Sequence, residues 1–280
     1  MILVTGITGQ LGHDVVKELE RRGEKVIGTT RKEINLMTAE GAKNFILEKK
    51  PDAVIHCAAY TAVDKAESEP EIALTVNGFG TRYVAEACRE VGAKMIYPST
   101  DYVFGGDGKI PYKVGDEKAP VNVYGNSKLL GENSVQATLQ NYFIVRISWV
   151  FGANGKNFVK TMLKLAESHE KIRVVADQIG SPTYTADLAP LLADMVKTEK
   201  YGVYHATNEG FCSWADFAKE IFKQAGKNVE VEEIQTIDYP TPAKRPFNSR
   251  MSKKSLDAAG FKRLPAWEEA LSRYLVELKN

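Results

Sequence analysis

Short apolar runs alternate with longer amphipathic segments through the first half of the chain. The runs predict five strands, over Met1–Thr5, Lys25–Thr29, Ala53–Cys57, Lys94–Tyr97 and Tyr142–Ser148. The periodicity between them predicts helices over Gln10–Arg22, Ala39–Lys49, Glu71–Val91 and Ser127–Leu139. Because apolar strands joined by helices bury both faces of a sheet, the pattern predicts an α/β fold built on a doubly wound parallel sheet.

The pattern is less regular after Trp149. Helices are predicted over Phe158–Ser168, Ala186–Lys197, Trp214–Ala225 and Trp267–Leu278, and extended segments over Ile172–Val175, Gly202–Ala206 and Val229–Ile234. We expect a first domain over residues 1–150 and a smaller α/β subdomain over residues 151–280. The two are expected to be partly interleaved, with about one later strand returning to the sheet as its sixth.

Composition narrows the class of protein. The chain has 37 basic and 36 acidic residues, a net charge of +1 and a 44% hydrophobic content, so neither nucleic-acid nor membrane binding is expected. Cys57, Cys88 and Cys212 are far apart, which favours core positions over a zinc site or a disulfide framework. Met1 leads directly into the first predicted strand, and no apolar run approaches ~20 residues, so we expect a cytoplasmic protein without a signal peptide.

Three glycines, Gly6, Gly9 and Gly12, lie between the first predicted strand and the first predicted helix. Glycine at such positions permits a tight turn, close approach of the backbone to a pyrophosphate, and close packing of the helix on the strand. The helix N-terminus adds free N–H groups and a partial positive charge. A glycine-rich turn without a ligand is the alternative, but the strand–loop–helix context favours a Rossmann-type dinucleotide site.

The end of the second strand usually distinguishes NAD from NADP. An acidic residue there binds a ribose 2′-hydroxyl, whereas a basic residue accommodates a 2′-phosphate. This chain has Thr29, Thr30, Arg31 and Lys32, with no acid before Glu33. Arg31 therefore favours NADPH, or use of both NADPH and NADH, although a solvated surface pair of Arg31 and Lys32 is the alternative.

Tyr124 and Lys128 are four residues apart, so on a helix they share one face. An unperturbed phenol has a pKa near ~10, and a nearby cation lowers that value. We expect Lys128, together with the positive nicotinamide of an oxidised cofactor, to lower the pKa of Tyr124 towards ~7. A chance pair on an exposed helix is the alternative. Downstream of the glycine loop, the pair predicts hydride transfer with a phenol as the proton donor.

Ser99, Thr100 and Asp101 follow the fourth predicted strand. Ligands of open parallel sheets bind beyond the carboxyl ends of the strands. The sequence therefore predicts a hydroxyl, from Thr100 or Ser99, beside the phenol and directed at a substrate carbonyl. The same residue types are common in turns and helix caps, but the position at a strand end upstream of Tyr124 favours a functional role.

Longer strings of residues resemble a known family. They are AAYTAVDKAE at 58–67, STDYVF at 99–104, SWVFG at 148–152 and PTPAKRP at 240–246. In these strings, and in the order of the glycine loop, the Ser-Thr pair and the Tyr-Lys pair, the chain resembles the dTDP-4-dehydrorhamnose reductases of the extended short-chain dehydrogenase/reductase superfamily. The resemblance covers essentially the whole chain. It implies reduction of the C4 ketone of dTDP-4-dehydro-L-rhamnose to dTDP-L-rhamnose by NADPH or NADH, in polysaccharide biosynthesis, with a C-terminal domain that binds the nucleotide-sugar.

The resemblance also implies roles for individual residues. Tyr124 is expected to be the proton donor, Lys128 its electrostatic and ribose-binding partner, and Thr100 the hydroxyl that orients the C4 oxygen. The residues expected to bind the cofactor are Gly6, Gly9, Gln10, Leu11 and Gly12 at the pyrophosphate, Asn35 and Leu36 at the adenosine, and Ala58, Ala59 and Tyr60 after the third strand. Those expected to contact the sugar are Val63, Asp101 and Trp149.

Arg245 is predicted from chemistry alone. A guanidinium makes bidentate hydrogen bonds to phosphate oxygens, so we expect Arg245 to contact the diphosphate of the substrate. Some members of the family are described as magnesium-dependent, but the sequence shows no cluster of oxygen ligands, and no metal is expected. A homodimer is an expectation from the family only.

Other functions remain open. A nucleotide-sugar 4,6-dehydratase places an additional acid beside the Ser-Thr-Asp unit, where this chain has Tyr102, a poor acid for elimination. A 4-epimerase needs no such acid, and other nucleotide-sugar 4-ketoreductases would carry similar strings. Some relatives are non-catalytic regulatory subunits of methionine adenosyltransferase, a role against which the intact Tyr124, Lys128 and Thr100 argue.

Overall fold

The computed structural model describes residues 1–279 as an α/β protein whose largest element is a six-stranded sheet. The strands are β1 (Ile2–Thr5), β2 (Val26–Thr29), β3 (Ala53–His56), β4 (Lys94–Thr100), β5 (Tyr142–Ile147), β6 (Val150–Phe151), β7 (Lys171–Val175), β8 (Ile179–Gly180), β9 (Thr183–Tyr184), β10 (Gly202–His205), β11 (Cys212–Ser213) and β12 (Glu230–Ile234). The α-helices are α1 (Gln10–Arg21), α2 (Ala39–Lys49), α3 (Val63–Ala66), α4 (Pro70–Leu74), α5 (Thr81–Val91), α6 (Val123–Thr138), α7 (Phe158–Leu165), α8 (Thr185–Met195), α9 (Trp214–Ala225), α10 (Lys254–Ala259) and α11 (Trp267–Glu277). A π-helical segment, Thr75–Gly80, joins α4 to α5, and single 3₁₀ turns cover Asp101–Val103 and Thr236–Asp238.

The strand order of the large sheet is β10-β5-β4-β3-β1-β2, and every neighbouring pair is parallel. The chain goes from β1 to β2 on one side and then returns to β3 on the other, so the carboxyl ends of β1 and β3 flank a topological switch point. In this register Thr5 is level with Thr29 of β2 and His56 of β3. The predicted doubly wound parallel sheet is confirmed, and β10 is its returning sixth strand.

Alternate residues of β1 face opposite layers of helices. Ile2 and Val4 pack against α1 and α8, whereas Leu3 packs against α2 and α5. Because each side of the strand is covered, β1 is buried along its whole length. This explains why the central strands read as continuous apolar runs rather than as alternating ones.

A second hydrophobic core lies outside the sheet. It is formed by α7, α9 and α11 with the short strands around them, and Phe151, Phe217 and Tyr274 are among its buried residues. In contrast, α8, β10 and α10 return to the first core, which lies between the large sheet and α1, and contribute Leu188, Tyr204 and Leu256 to it. Residues after 150 therefore supply both cores, and a boundary at residue 150 stays a prediction.

Two elements near the site have bounds that the sequence prediction missed. Helix α6 begins at Val123 rather than Ser127, because the Asn122 side chain accepts a hydrogen bond from the Gly125 N–H at 2.7 Å and caps the helix there. Strand β4 continues past Pro98, since beyond Ile96 it is paired only with β5, and the other side needs no ladder hydrogen bond from proline. These corrections place Tyr124 on a helix and Thr100 in a strand.

The long helix predicted after β3 is not continuous, because the π-helical segment separates α4 from α5. A Cβ on Gly78 would lie 2.3 Å from a methyl carbon of Leu130, so a larger residue there would have to displace the Leu130 side chain of α6. The wide turn places the Asn77 side chain where its amide donates to Ser127 Oγ at 2.9 Å and its oxygen accepts from the Tyr60 N–H at 2.8 Å. Helix α6 is thereby joined to the loop that follows β3.

Candidate active site

A cleft of about 700 Å³ opens at the carboxyl edge of the sheet. Its walls are formed by the glycine loop after β1, the segments that follow β2 to β5, helix α6 and the first residue of α9. Ligands of doubly wound sheets bind at this edge. Of the residues that the sequence predicts for the site, all line the cleft except Tyr60 and Arg245, and the role of each stays a prediction.

The glycine loop, residues 6–12, forms a cradle of backbone atoms packed so closely that a Cβ at Gly6 or Gly12 would clash. Gly6 has φ +70°, and a Cβ there would lie 2.7 Å from the Ala58 backbone. A Cβ on Gly12 would lie 2.4 Å from the Gly6 carbonyl oxygen. Within residues 1–279, no side chain caps the N-terminus of α1 at Gly9, which leaves first-turn N–H groups for a ligand. The loop fits the pyrophosphate of a dinucleotide.

The end of β2 presents a cation rather than a carboxylate. The backbone N–H and the hydroxyl of Thr30 donate to Glu33 Oε2 at 2.8 and 2.7 Å, and these bonds lower the pKa of Glu33. Arg31 is exposed at the adjoining wall of the cleft, and Asn35 and Leu36 line the same wall. Glu33, the acidic residue that follows β2, therefore already accepts two hydrogen bonds within its own turn.

Tyr124 and Lys128 occupy one face of α6, as predicted for a helix. Tyr124 is partly exposed in the cleft, whereas Lys128 is only 3% exposed. Lys128 Nζ donates to the Pro98 carbonyl oxygen at 2.8 Å and lies 4.0 Å from the centroid of the Tyr97 ring. These contacts hold the ammonium at the end of β4 and leave two of its three N–H donors for a ligand.

The structure distinguishes the two hydroxyls that the sequence left as alternatives. Ser99 Oγ donates to the buried Glu132 carboxylate at 2.6 Å. Thr100 Oγ1 donates to Asp101 Oδ1 at 3.0 Å, and a hydrogen bond with Thr100 acts to lower the pKa of Tyr124. Thr100 bonds to Asp101 and Tyr124, which both line the cleft, whereas Ser99 is directed at the interior, so Thr100 is the candidate for contact with a substrate carbonyl.

In the protein alone the pKa of Tyr124 lies above its usual range, and the lowering expected with an oxidised nicotinamide bound stays a prediction. Burial of the phenol is the main cause, and the negative charge of Asp101 adds to it. Lys128 Nζ instead contacts Pro98, and burial lowers the pKa of Lys128 to about 7. Near neutral pH the phenol is consequently protonated and able to act as an acid.

Asp101 is a buried carboxyl with an unused acceptor. It is 3% exposed, and burial raises its pKa to about 6, against the opposing effects of the Ser249 and Thr100 hydroxyls. Within residues 1–279, Asp101 Oδ2 has no hydrogen-bond partner. Because an unpaired buried oxygen is costly, this atom marks a place for a donor from a ligand.

Two tryptophans form an aromatic wall of the cleft. The rings of Trp149 and Trp214 stack with centroids 3.7 Å apart and planes 16° apart. Trp149 has φ +50°, a strained conformation for a residue with a side chain, and a Cβ on Gly180 would lie 2.8 Å from its ring. Sequence reasoning missed Trp214, because its local signal is only that of a residue starting a helix.

Tyr60 and Arg245 lie outside the lining of the cleft. The Tyr60 hydroxyl donates to Glu69 at 2.9 Å. Arg245 Nη2 donates to Asp64 at 2.8 Å, while Nη1 is buried without a partner among residues 1–279. The positive charge of Arg245 also acts on the pKa of Tyr102, a residue of the cleft wall. Arg245 is thus close to the cleft and keeps a free donor.

No group of three or more His, Cys, Asp or Glu side chains in the described part of the chain is arranged to hold a metal ion. The expectation that the protein needs no metal stays a prediction. Among residues 1–279, no helix combines the length and the apolar character needed to cross a membrane.

Comparison with known proteins identifies relatives that match along their whole length. The family described as RmlD substrate binding domain matches residues 1–280. The spore coat polysaccharide biosynthesis protein SpsK of Bacillus subtilis is 41% identical over 276 residues, which cover 99% of this chain and 97% of SpsK.

Two solved structures of dTDP-4-dehydrorhamnose reductases share the fold. The enzyme from Clostridium acetobutylicum superposes with a TM-score of 0.97 at 41% identity, covering 100% of this chain and 99% of that one. The enzyme from Bacillus anthracis, in complex with NADP, has a TM-score of 0.96 at 43% identity, covering 99% and 98%. Because the family match spans the chain and the relatives are covered almost completely, this protein belongs to the RmlD substrate-binding-domain family.

Proposed function

We propose that this protein is a dTDP-4-dehydrorhamnose reductase, which reduces the C4 ketone of dTDP-4-dehydro-L-rhamnose with NADPH or NADH and yields dTDP-L-rhamnose. The observation that carries this proposal is the meeting of the glycine cradle with Thr100, Tyr124 and Lys128 in one cleft. Two relatives that are 41% and 43% identical are dTDP-4-dehydrorhamnose reductases, which supports the substrate.

NADPH, when bound, supplies the hydride that adds to C4 of the sugar. The cradle at Gly6, Gly9 and Gly12 would hold the pyrophosphate, and Arg31 would hold the 2′-phosphate. The two remaining N–H donors of Lys128 would hold the hydroxyls of the nicotinamide ribose. The NADP in the structure of the Bacillus anthracis relative supports this choice of cofactor.

The proton for the C4 oxygen would come from Tyr124. Its raised pKa keeps the phenol protonated near neutral pH, and an alkoxide formed at C4 is a stronger base than a phenolate. Thr100 would turn its hydroxyl proton from Asp101 Oδ1 to the C4 oxygen and so orient it, and Lys128 would stabilise the phenolate that remains. The phenolate then regains a proton from solvent.

The sugar and the diphosphate would lie between α6 and the aromatic wall. Asp101 Oδ2, which lacks a partner within residues 1–279, would accept from a sugar hydroxyl. Val63 and Trp149 would pack against the deoxysugar ring. Arg245 Nη1, the other buried donor without a partner in those residues, would contact the diphosphate. A homodimer and a cytoplasmic location stay predictions.

An assay of hydride consumption tests the proposal. We expect the pure protein to consume NADPH in step with dTDP-4-dehydro-L-rhamnose, seen as loss of absorbance at 340 nm, and mass and NMR spectra to identify dTDP-L-rhamnose. A 4-epimerase would interconvert nucleotide-sugars without net loss of NADPH. A regulatory subunit would leave both compounds unchanged and alter the activity of methionine adenosyltransferase when mixed with it. Either result would contradict the proposal.

The choice between NADPH and NADH is expected to depend on Arg31. Replacing it by alanine removes a charge-assisted contact worth ~1.5–3 kcal/mol, so Arg31→Ala should raise the KM for NADPH roughly 10-fold or more and leave the KM for NADH unchanged. Steady-state kinetics with both cofactors measure this, and Lys32→Ala is the matched control. Equal effects on NADPH and NADH would remove Arg31 from the 2′-phosphate site.

A further inference from the structure

A buried carboxylate links the two elements that carry the predicted catalytic residues. Glu132 lies on α6, one turn beyond Lys128 and two beyond Tyr124, so all three share one face. Its Oε1 accepts from Ser99 Oγ at 2.6 Å, and Ser99 is the residue before Thr100 on β4. One side chain of the catalytic helix is therefore bonded directly to the catalytic strand.

A third element completes this network. The Arg146 guanidinium, on β5, donates from Nε to Glu132 Oε1 at 2.8 Å and from Nη2 to Oε2 at 2.7 Å. The side chains of Arg146 and Glu132 are 1% and 0% exposed. Arg146 Nη1 donates to the Val114 carbonyl oxygen at 3.0 Å, so the cation is also held from the far side.

Stability alone does not account for such a pair. Replacing a buried ion pair by well-packed apolar residues is often neutral or stabilising, because both ions lose their hydration. The bidentate geometry instead fixes the orientation of the Glu132 and Arg146 side chains relative to each other, since a planar guanidinium and a carboxylate meet in one plane. The network therefore defines how α6 sits against the ends of β4 and β5.

Glu132 also supplies negative charge next to Lys128. Burial lowers the pKa of Lys128, while the charge of Glu132 is the largest influence that raises it. The neighbouring groups His56, Cys57, Tyr97 and Tyr124 are uncharged near neutral pH, because burial lowers the pKa of His56 to about 3, raises that of Cys57 to about 12 and raises those of the two tyrosines.

We propose that Glu132 is a positioning residue for the reaction: it fixes Thr100 relative to Tyr124 through Ser99, and it keeps Lys128 in the ammonium form. This inference rests on the proposed function and adds to it a residue that contacts neither substrate nor cofactor. The two parts of the role are separable, because the hydrogen bond from Ser99 carries the link between Glu132 and β4, whereas the negative charge of Glu132 carries its effect on Lys128.

The test compares Glu132→Gln with Ser99→Ala. Ser99→Ala removes the bond to the strand and keeps the ion pair, so we expect kcat to fall about 10-fold with no change in the pH profile. Glu132→Gln should lower kcat at least as much and also move the alkaline limb to lower pH by about one unit, since the ammonium form of Lys128 loses its counter-charge. The affinity for NADPH, measured calorimetrically against pH, should show the same displacement without requiring turnover.

Controls separate this role from general loss of stability. Ser181→Ala removes a buried serine hydroxyl that donates to the Gly210 carbonyl oxygen at 2.6 Å, and it should leave kcat and the pH profile unchanged. Unaltered kcat in Ser99→Ala would overturn the link to the strand, and an unmoved alkaline limb in Glu132→Gln would overturn the effect on Lys128. In both cases the wild-type protein would still consume NADPH, whereas failure of the proposed function would leave the wild type inactive. If Glu132→Gln does not fold, Ser99→Ala decides the link to the strand, and the double variant Glu132→Gln with Arg146→Met, which removes the whole buried ion pair, decides the effect on Lys128.

Discussion

The Tyr124→Phe variant is expected to bind NADPH as tightly as the wild type while kcat falls by ~10²–10⁴, the usual contribution of a general acid. Phenylalanine keeps the ring, which meets the Tyr102 ring edge-on with centroids 5.7 Å apart, so the cleft wall should hold its shape. Only the proton donor for the C4 oxygen is lost. Loss of absorbance at 340 nm gives kcat, and calorimetry gives the affinity for NADPH.

A second phenol serves as the matched control. Tyr142 is at the start of β5, at the opposite end of that strand from the cleft, and its hydroxyl contacts Gln136 at 3.4 Å on the surface. Tyr142→Phe should therefore retain full activity. A Tyr124→Phe variant with kcat within about twofold of the wild type would remove this phenol from the mechanism, because general-acid help is worth far more.

The Gly12→Ala variant is expected to lose affinity for NADPH by at least ~100-fold, through the loss of two or more charge-assisted hydrogen bonds of ~1.5–3 kcal/mol each. The new Cβ would lie 2.4 Å from the Gly6 carbonyl oxygen, so the loop must move away from α1 and its N–H groups cannot converge on the pyrophosphate. Calorimetric titration with NADPH measures the change.

Gly115 supplies the corresponding control. It is exposed, and a Cβ there would have no atom within 4 Å, so Gly115→Ala should bind NADPH normally. Circular dichroism of Gly12→Ala would show whether the sheet is still folded. A folded Gly12→Ala protein with wild-type affinity would mean that the cradle does not hold the pyrophosphate.

Much of the fold follows from periodicity. Residues such as Leu3 and Val54 lie in strands covered on both sides, so their neighbours along the chain are apolar too, and the runs stand out. The predicted bounds of helices and strands are wrong where one local signal hides another, or where a local signal conflicts with a tertiary contact. Gly125 obscures a helix start that Asn122 specifies by capping, and Pro98 suggests a strand end although β5 still pairs with β4 beyond it.

The candidate site was predictable where its residues are close in sequence, as for Tyr124 and Lys128. Contacts between distant segments were not. Trp214 meets Trp149 only because the start of α9 lies against the cleft. Glu132 meets Arg146 in the interior, and a single sequence gives no sign that a charged residue is buried there. The raised pKa of Tyr124 in the protein alone has a related cause, since it comes from burial and the Lys128 ammonium contacts the Pro98 carbonyl oxygen.

The return of β10 and α10 to the first core has a consequence for synthesis on the ribosome. The edge strand next to β5 ends at His205, and Leu256 and Phe261 complete the packing beside it. A nascent chain that has emerged only as far as residue 150 lacks α8 over one face of the sheet as well as this edge. Exposed strand edges and apolar faces promote aggregation of partly folded chains, so the cofactor-binding half must wait for nearly the entire polypeptide before its surfaces are covered.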